Sequence, residues 1–389
     1  FREALANLKL EKMTTNFDLG FLIARKPFDE SVPFLTGTFV KDADRYIIND
    51  LDARGLLVRE QAYEHSYPHC WRCSTPLIYW AKTSWFVRTS EHRDLLMSEN
   101  ERISWHPDFI KHGRFGKWLE GNIDWALSRD RYWGTPLPIW RCDANSHEHC
   151  IGSVAELSEL TARDLTELDL HRPHVDNITF GCTTDGCAGT MHRVAPVLDA
   201  WFDSGSMPSA QRHHPFENAD SFDGAFPADF ICEAIDQTRG WFFTLHAISA
   251  MVEDSVAFKH VVSTGLVLDK NGNKMSKRLG NAADPFDTLL KYGADPTRWY
   301  MITNAQPWDN LKFDLAGITE VRNKFFGTLT NTYNFFALYA NLDGFDASNV
   351  RVEEENLSEL DRWILSKLMN LIAEVDESFE TYEPTKAAR

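Results

Sequence analysis

Residues 229–252 read DFICEAIDQTRGWFFTLHAISAMV, and this part of the sequence indicates an α/β fold. It opens with a short apolar segment, Asp229–Cys232, which is typical of a strand. The residues from 241 to 252 are apolar on nearly every face, as in a helix buried against a sheet. A second apolar segment, His260–Leu268, is typical of a buried strand. Strand, helix and strand in this order predict a parallel sheet of the nucleotide-binding type.

The sequence that follows the second strand contains local signals for a turn and a helix. Asn271-Gly272 is a strong hairpin signal, because both residues tolerate the backbone conformation of a tight turn. Asp284 can cap a helix that has Pro285 at its first position and Gly293 at its end. Beyond residue 315 the chain is predicted to be helical. One amphipathic stripe consists of Leu357, Leu360, Ile364, Leu368, Leu371, Val375 and Phe379.

The composition is that of a globular protein. The chain has 389 residues, of which 43% are hydrophobic, so it is long enough for two or three domains. Its net charge is −17, so we expect most of its surface not to contact nucleic acid. No run approaches the roughly 18 apolar residues that a membrane span needs. The chain begins at Phe1 without a signal segment, and we expect a soluble piece of a longer polypeptide.

Residue usage divides the chain into four segments, 1–60, 61–194, 195–315 and 316–389. The first contains short alternating runs such as residues 34–40, which predict strands, and a helix from about residue 42 to residue 51, ended by Gly55. The second segment has few periodic runs and is predicted to be a loop-rich connecting module. The third has the α/β pattern, and the fourth is helical.

The seven cysteines are spaced like metal ligands rather than like a secreted disulfide framework. Cys70 and Cys73 form a C-x-x-C motif without an obvious second pair, so zinc and free thiols are both open there. The second set consists of Cys142, His147, His149, Cys150, Cys182 and Cys187. Two knuckles separated along the chain suit a tetrahedral zinc site, which is favoured over free thiols. Both interpretations predict a cytoplasmic protein.

Residues 274–278, KMSKR, place three cations on the loop after a buried strand. An isolated basic loop is most simply a solvated turn. Two motifs precede this one, EAIDQTRGW at residues 233–241 and DAWFDSGS at residues 199–206. A fourth motif, RYWGTPLPIW at residues 131–140, is aromatic and interrupted by proline, and it predicts a structured loop.

These four motifs, in this order, resemble those of the class I aminoacyl-tRNA synthetases and, within that class, of the isoleucyl-tRNA synthetases. The KMSKR loop indicates class I. The other three motifs indicate the isoleucine group, because the valyl and leucyl groups have different residues there. Valyl- and leucyl-tRNA synthetases are the alternatives within the class. The resemblance covers essentially the whole chain.

The resemblance implies ATP-dependent activation of L-isoleucine, transfer to tRNA(Ile), and editing of mischarged valine. In activation a carboxylate attacks the α-phosphorus of ATP, and cations stabilise the charge that builds up on the departing pyrophosphate. Lys274 and Lys277 match the family's loop lysines and are the predicted catalytic residues, with Mg²⁺ sharing the charge. Met275, Ser276 and Arg278 are predicted to contact ATP and to shape the loop.

The resemblance also implies binding residues outside the loop. Glu233, Asp236 and Gln237 lie where a strand turns into a helix, and the family uses these positions for the ribose and the adenylate. Capping of the helix by Asp236 is compatible with that role. Trp201 and Trp241 match the tryptophans of the family's amino-acid pocket, although most tryptophans are simply part of a core.

The four segments acquire identities from the resemblance. Residues 1–60 correspond to the end of the editing domain and 61–194 to a connective region with zinc knuckles. Residues 195–315 correspond to the second half of a Rossmann-type catalytic domain, and 316–389 to the start of a helical anticodon-binding domain. The class I signature H-x-G-H does not occur in the sequence, the nearest tetrapeptide being His112–Phe115. We expect the chain alone to be inactive, and the full-length enzyme to be a monomer.

The ligand set of the cysteine-rich segment stays open, and so do two other interpretations of its function. Asn145 stands where the family often has a second cysteine, so His147, His149 or Cys150 is expected to substitute, or else the site is lost. A non-enzymatic zinc or nucleic-acid-binding module would present one continuous basic face. A zinc hydrolase built on His147, Glu148 and His149 would lack a second carboxylate-bearing motif.

Overall fold

The computed structural model describes residues 13–22, 35–36, 38–39, 42–70, 73–276, 280–349 and 352–389. Its helices are α1 (Asp44–Ala53), α2 (Arg93–Glu101), α3 (Gly116–Glu120), α4 (Val154–Thr161), α5 (Ala200–Gly205), α6 (Met207–Ala210), α7 (Ala219–Asp223), α8 (Trp241–Glu253), α9 (Pro285–Tyr292), α10 (Ala294–Asn304), α11 (Leu315–Val321), α12 (Gly327–Leu342), α13 (Glu359–Glu380) and α14 (Pro384–Ala388). None of the described helices combines the length and the hydropathy needed to cross a bilayer.

The strands belong to one parallel and several antiparallel or very short sheets. They are β1 (Met13–Leu22), β2 (Ile78–Val87), β3 (Ser104–His106), β4 (Trp125–Ala126), β5 (Ser128–Arg129), β6 (Ile139–Cys142), β7 (Glu148–Cys150), β8 (Phe180–Gly181), β9 (Thr190–Arg193), β10 (Val197–Leu198), β11 (Ala228–Ala234), β12 (Phe258–Thr264), β13 (Val267–Leu268) and β14 (Leu311–Lys312).

The parallel sheet has the strand order β11-β12-β3. The unit β11–α8–β12 is the strand, helix and strand that residues 229–268 predict, and it confirms the α/β fold. In the sheet register, His260 of β12 lies between Phe230 of β11 and Ser104 of β3. Because the strands are parallel, their carboxyl ends meet at one edge of the sheet.

The predicted strand at residues 260–268 is divided in two. β12 ends at Thr264, and β13 pairs with β14 in a separate sheet. The break falls at Gly265, where a Cβ would lie 2.2 Å from the carbonyl oxygen of Asp309. The Gly265 N–H donates to the Pro307 carbonyl at 2.9 Å. The approach of this other chain segment is the physical reason why one continuous strand cannot form.

The third strand of the parallel sheet comes from the segment predicted to be connective. Trp105, at the centre of β3, is fully buried. Its ring lies 4.7 Å from the ring of Phe115 and 5.8 Å from that of Phe242, measured between centroids. The main hydrophobic core therefore lies between the sheet, α2, α3 and α8. The parallel sheet therefore includes a strand from residues 61–194.

A second core lies under the antiparallel sheet with strand order β7-β6-β9-β8. At its centre Trp140 is buried, and its indole N–H donates to the Ile178 carbonyl at 2.8 Å. The buried guanidinium of Arg193 donates to Asp176, with 2.6 Å between Nε and Oδ1. The connective segment therefore has a core of its own.

The turn and the helix predicted between residues 271 and 293 are confirmed. Gly272 lies in the turn with a φ of +87°. The Asp284 carboxylate accepts the backbone N–H of Phe286 at 2.9 Å and that of Asp287 at 3.0 Å. These bonds cap α9, which ends before Gly293 at a φ of +92°.

The segments near the two ends of the chain follow their predictions in part. The helix predicted at residues 42–51 is α1, and Gly55 follows it with a φ of +67°. Of the predicted strand at 34–40, residues 34, 37 and 40 lie outside the described part. Six of the seven residues of the predicted amphipathic stripe lie on α13, and Leu357 precedes it. Leu360 and Ile364 on this stripe are exposed.

Candidate active site

Two of the motifs come together because α5 packs closely against α8. A Cβ on Gly205, at the end of α5, would lie 2.9 Å from Cδ1 of Ile248. Any larger residue there would force the two helices apart. The packing brings Trp201 of α5 to the beginning of α8, where Trp241 is the first helical residue.

Gly240 is the point of contact between the two motifs. A Cβ at this position would lie 2.7 Å from Oε1 of Gln237 and 3.1 Å from Cη2 of Trp201. The lack of a side chain therefore lets the indole and the amide both approach the backbone. The Trp201 side chain nevertheless remains accessible, since the residue is 42% exposed.

Trp241 is held from two sides. Its backbone N–H donates to Oε1 of Gln237 at 2.9 Å, and its indole N–H donates to the Ser204 carbonyl at 3.0 Å. Trp241 lines an apolar cavity of about 140 Å³ together with Met207. Trp201 is not among the described residues that line this cavity. The structure thus brings both tryptophans to Gly240, and of the two only Trp241 lines this cavity.

Glu233, Asp236 and Gln237 lie at the carboxyl edge of the parallel sheet. Glu233 and Asp236 are exposed, and the turn after β11 is a 3₁₀ turn, Ile235–Arg239. Capping by Asp236 was the alternative to its binding role, but the side chain that accepts a helical N–H is that of Gln237. The 3₁₀ turn is the reason, because it places Gln237 below the first N–H of α8. Asp236 instead accepts a bond from Nε2 of Gln237 at 3.3 Å.

Residues from a distant part of the sequence hold this turn in place. Nε of Arg114 donates to the Thr238 hydroxyl at 2.9 Å, and that hydroxyl donates to the Ile235 carbonyl at 2.7 Å. The Arg239 guanidinium lies 5.3 Å from the ring centroid of Trp118. These contacts were not predicted from the sequence, because Arg114 and Thr238 are 124 positions apart and no local pattern links them.

The cationic loop is described only in its first half. Lys274, Met275 and Ser276 follow β13 on an exposed hairpin, and Lys274 pairs with Leu268 through the backbone. Lys277 and Arg278 lie outside the described residues.

Asp269 and Asn281 tie the base of this hairpin. Oδ1 of Asp269 accepts the N–H groups of Asn271 at 2.9 Å and Asn273 at 2.8 Å. Nδ2 of Asn281 donates to Oδ2 of Asp269 at 3.0 Å, and its Oδ1 accepts the Ser276 N–H at 2.9 Å. These bonds, above all the one from the Asn273 N–H, lower the pKa of the Asp269 carboxyl. Neither Asp269 nor Asn281 was predicted from the sequence to have a role.

Three of the predicted metal ligands form one cluster. The sulfur atoms of Cys142, Cys182 and Cys187 all lie within 4.8 Å of one another. Gly189 makes room for them, since a Cβ there would lie 2.5 Å from Sγ of Cys142. Hydrogen bonding to Thr184 lowers the pKa of Cys182 to about 7, which favours the thiolate that a metal binds.

Among the described residues, Cys150 does not lie within this cluster, so the structure does not bring this predicted ligand together with the other three. It pairs with Ile139 at one end of β6, whereas Cys142 is at the other end, about 10 Å away along the strand. Burial raises the pKa of Cys150 to about 11, so it remains a thiol. His149 is also turned away, and its Nε2 lies 2.9 Å from Oε1 of Glu156.

The remaining polar residues of this segment divide between the two sides. Nδ2 of Asn145 lies 3.8 Å from Sγ of Cys182, and Nε2 of His147 lies 3.1 Å from the Thr183 hydroxyl. Asn145 and His147 are therefore on the side of the cysteine cluster. Glu148 accepts a bond from Nε of Arg141 at 2.7 Å. The predicted hydrolase residues 147–149 thus have separate partners and form no common metal-binding group in the described part.

Cys70 and Cys73 stand apart from that cluster. Cys70 is buried, and the Cys73 sulfur lies 3.1 Å from the Thr75 hydroxyl. Within the described part of the chain, no histidine, aspartate, glutamate or further cysteine joins them to make a group of three.

A parallel sheet with carboxylates at its carboxyl edge, followed along the chain by a lysine-bearing hairpin, is the arrangement of an α/β nucleotide-binding domain. The sequence model of tRNA synthetases class I (I, L, M and V) matches residues 1–314, and the chain belongs to this family. It is 51% identical to the isoleucine–tRNA ligase of Cytophaga hutchinsonii over 94% of this chain and 35% of that protein. It is 54% identical to that of Porphyromonas gingivalis over 87% of this chain and 32% of that protein. The chain spans about a third of the length of these relatives.

Two solved structures share the fold at low sequence identity. One is the ternary complex of a LeuRS of Agrobacterium radiobacter K84 with tRNA and LeuAMS, with a TM-score of 0.63 and 13% identity over 99% of this chain and 66% of that one. The other is methionyl-tRNA synthetase of Mycobacterium tuberculosis with methionyl-adenylate, with a TM-score of 0.63 and 16% identity over 100% of this chain and 60% of that one. Both support the class I synthetase fold.

Proposed function

We propose that this chain is part of an isoleucyl-tRNA synthetase, which activates L-isoleucine with ATP and transfers it to tRNA(Ile). The names of the relatives, at about half identity, support the choice of amino acid. The observation that carries the proposal is the contact of the DAWFDSGS and EAIDQTRGW motifs at Gly240. That contact lies at the carboxyl edge of a parallel sheet, which is where such folds bind their ligands.

Lys274 and Lys277 are the proposed catalytic residues, since their charges can stabilise the departing pyrophosphate. The exposure of Lys274 on a hairpin supports this role, because the ammonium can turn towards a phosphate. Met275, Ser276 and Arg278 are proposed to contact ATP from the same loop. Mg²⁺, when bound with ATP, supplies further positive charge.

The amino acid and the adenylate are proposed to bind around Gly240. The exposed carboxylates of Glu233 and Asp236 suit ribose hydroxyl groups, because ionised carboxylates only accept hydrogen bonds. Trp201 and Trp241 provide rigid walls for a branched side chain. Such a pocket rejects the loss of one methylene by only about 1–3 kcal/mol, a limit for which isoleucyl-tRNA synthetases are the standard illustration. We therefore propose that the full-length enzyme also edits mischarged valine.

We also propose that Cys142, Cys182 and Cys187 hold one Zn²⁺. Their mutual distances and the lowered pKa of Cys182 support a tetrahedral site with thiolate ligands. A fourth ligand would have to come from the side of Asn145 and His147. Cys70 and Cys73 remain proposed as half of a second site, whose other ligands would lie elsewhere in the polypeptide.

The zinc proposal predicts one metal ion that depends on the cluster. Cys142→Ser should reduce the bound zinc from about one ion per chain to none, because it removes the buried ligand. Elemental analysis of the purified protein measures this, with Cys150→Ser as the matched control that keeps its metal. Zinc retained by Cys142→Ser, or lost equally from Cys150→Ser, would contradict the site.

The wider organisation follows from the same proposal. Residues 1–60 would end the editing domain, 61–194 would form the connective region, 195–315 the second half of the catalytic domain and 316–389 the start of the anticodon-binding domain. The enzyme would act as a monomer in the cytoplasm, where ATP and tRNA are available.

ATP–pyrophosphate exchange with isoleucine, valine and leucine, measured on the full-length enzyme, tests the proposal. We expect exchange to be fastest with isoleucine and to fall severely on removal of Lys277. Faster exchange with valine or leucine would reassign the enzyme to one of those groups. The 389-residue chain alone is expected to show no exchange, since H-x-G-H does not occur in it.

A further inference from the structure

The carboxylate of Asp199, the first residue of the DAWFDSGS motif, joins three parts of the structure. The residue is buried, at 6% exposure. Its Oδ2 accepts bonds from Nη2 of Arg129 at 2.8 Å and from the indole N–H of Trp125 at 3.2 Å. Its Oδ1 accepts the backbone N–H of Trp201 at 3.3 Å. One side chain therefore links β4 and β5 to the beginning of α5.

The backbone of Asp199 is fixed at the same place. β10, which precedes it, pairs with β5, and the Asp199 N–H donates to the Leu127 carbonyl at 2.8 Å. The Asp199 carbonyl accepts the N–H of Phe202 at 2.8 Å, which closes the first turn of α5. Asp199 thus determines both where the chain enters α5 and how its first N–H groups are satisfied.

Trp201 depends strongly on this support. Its side chain is partly accessible, so packing constrains it less than a buried ring would be constrained. The helix that carries it has six residues, and Gly205 at the other end is fixed on α8. A displacement at the first turn of α5 would therefore move the indole across Gly240 rather than be absorbed along the helix.

We propose that Asp199 is a positioning residue for Trp201 and thereby sets the selectivity between isoleucine and valine. The inference rests on the proposed function, in which Trp201 is a wall of the amino-acid pocket. A small movement of a rigid ring changes the space available to one methylene, and hence the discrimination between the two amino acids. A residue that only stabilised the fold would affect both amino acids equally.

Asparagine and serine are the informative substitutions. Asparagine has one carbonyl oxygen and one amide group where aspartate has two acceptors. Asp199→Asn can therefore accept from Arg129 or from the Trp201 N–H, but not from both. Asp199→Ser can still cap α5, but its side chain is too short to reach Arg129 as well.

Asp176→Asn is the matched control. Asp176 is also bound by arginines, at 2.8 Å from Nε of Arg172 and 2.6 Å from Nε of Arg193. It contacts the second core, under the antiparallel sheet, and not α5. Its loss should lower thermal stability without moving Trp201.

The test is ATP–pyrophosphate exchange with isoleucine and with valine in the full-length synthetase that contains this sequence. We expect both Asp199 variants to lower the isoleucine-over-valine ratio of kcat/KM by about tenfold. The KM for ATP should change by less than about twofold, and Asp176→Asn should leave the ratio unchanged. An unchanged ratio in both Asp199 variants, or an equal fall in Asp176→Asn, would overturn the proposal.

A milder variant covers the case in which the Asp199 variants do not fold. Trp125→Phe removes one donor to the carboxylate and keeps a ring beside Phe202, whose centroid lies 5.9 Å from that of Trp125. The selectivity ratio should then fall by about threefold, and an unchanged ratio would count against the role of Asp199. A wild-type enzyme that does not activate isoleucine would contradict the proposed function itself, which is a separate result.

Discussion

The α5–α8 junction and the hairpin of residues 269–281 carry the two parts of the proposed site, and they are held by different forces. At the junction, Gly205 lets two helices pack in direct contact, and the facing side of α8 is buried. No described residue of the hairpin is buried, and hydrogen bonds of Asp269 and Asn281 hold its base.

Because the two regions are held differently, we expect substitutions in them to have different effects, on stability at the junction and on the reaction at the hairpin. Close packing fixes α5 against α8, and substitutions there affect the free energy of unfolding. Exposed hydrogen bonds contribute little to that free energy, so a loop held by them can reach a ligand. We expect the junction to select the amino acid and the hairpin to bind the phosphates of ATP.

The largest expected effect is a loss of reaction rate, without a loss of stability, when a lysine of the hairpin is replaced. Lys274→Ala should reduce the rate of ATP–pyrophosphate exchange in the full-length enzyme by about 10²–10³-fold, because it removes a charge from the departing pyrophosphate. The unfolding midpoint should not change, since the side chain is exposed. Lys270→Ala, on the same hairpin, is the control and should keep its exchange rate. A clear loss of stability in Lys274→Ala would contradict the proposed difference between the junction and the hairpin.

The second prediction concerns pH and a buried residue of α8, the helix that forms one side of the junction. His246 of α8 is fully buried, and its Nε2–H donates to the Leu96 carbonyl at 2.8 Å. Burial lowers the pKa of His246 to about 4 in the folded protein, against 6.5 for the free side chain. As the pH falls from 6.5 towards 4, His246 becomes protonated in the unfolded chain but stays neutral in the folded protein. Stability should therefore fall, by up to about 3 kcal/mol at the acid end.

Urea unfolding between pH 7 and pH 4.5 measures this dependence. His246→Gln keeps an amide donor for the Leu96 carbonyl but does not titrate. Its stability should vary less with pH than that of the wild-type protein. Identical pH profiles for the two proteins would assign the acid sensitivity to other groups.

The smallest expected effect lies at the base of the hairpin. Asn281→Ala removes the bonds to Asp269 and to the Ser276 N–H, and should slow exchange by about fivefold to tenfold. The unfolding free energy should change by less than about 1 kcal/mol. Asn271→Ala, at an exposed position of the same turn, serves as the comparison. A larger effect on stability than on exchange would show that the hairpin is structural after all.

Local signals predicted much of the fold. The cap at Asp284 and the turn at Gly272 are each determined by residues a few positions apart, and both were found from the sequence. β3 was not predicted as a strand of the parallel sheet, because three residues leave no periodic pattern. Its membership depends on the burial of Trp105 by partners far away in the sequence.

In the candidate site, too, local motifs could be found from the sequence but contacts between distant residues could not. The motifs identified which residues to examine, and the structure brings Trp201 to Gly240. The contact of Arg114 with Thr238 could not be predicted, since only the folded chain makes these residues neighbours. Spacing along the chain also does not reveal which end of β6 a cysteine faces, and the structure places Cys150 at the end away from Cys142.

The pairing of β3 with β12 also has a consequence for the time course of biosynthesis. Ser104 lies opposite His260, so β3 leaves the ribosome roughly 150 residues before its partner. At synthesis rates of about 5–20 residues per second, this delay lasts roughly 10–30 seconds. During that interval Trp105 lacks Phe242, while the second core, under the antiparallel sheet, can already close. The nascent chain therefore passes through a stage in which the second core has formed but β3 has no partner strand. During this stage Trp105 is accessible to chaperones.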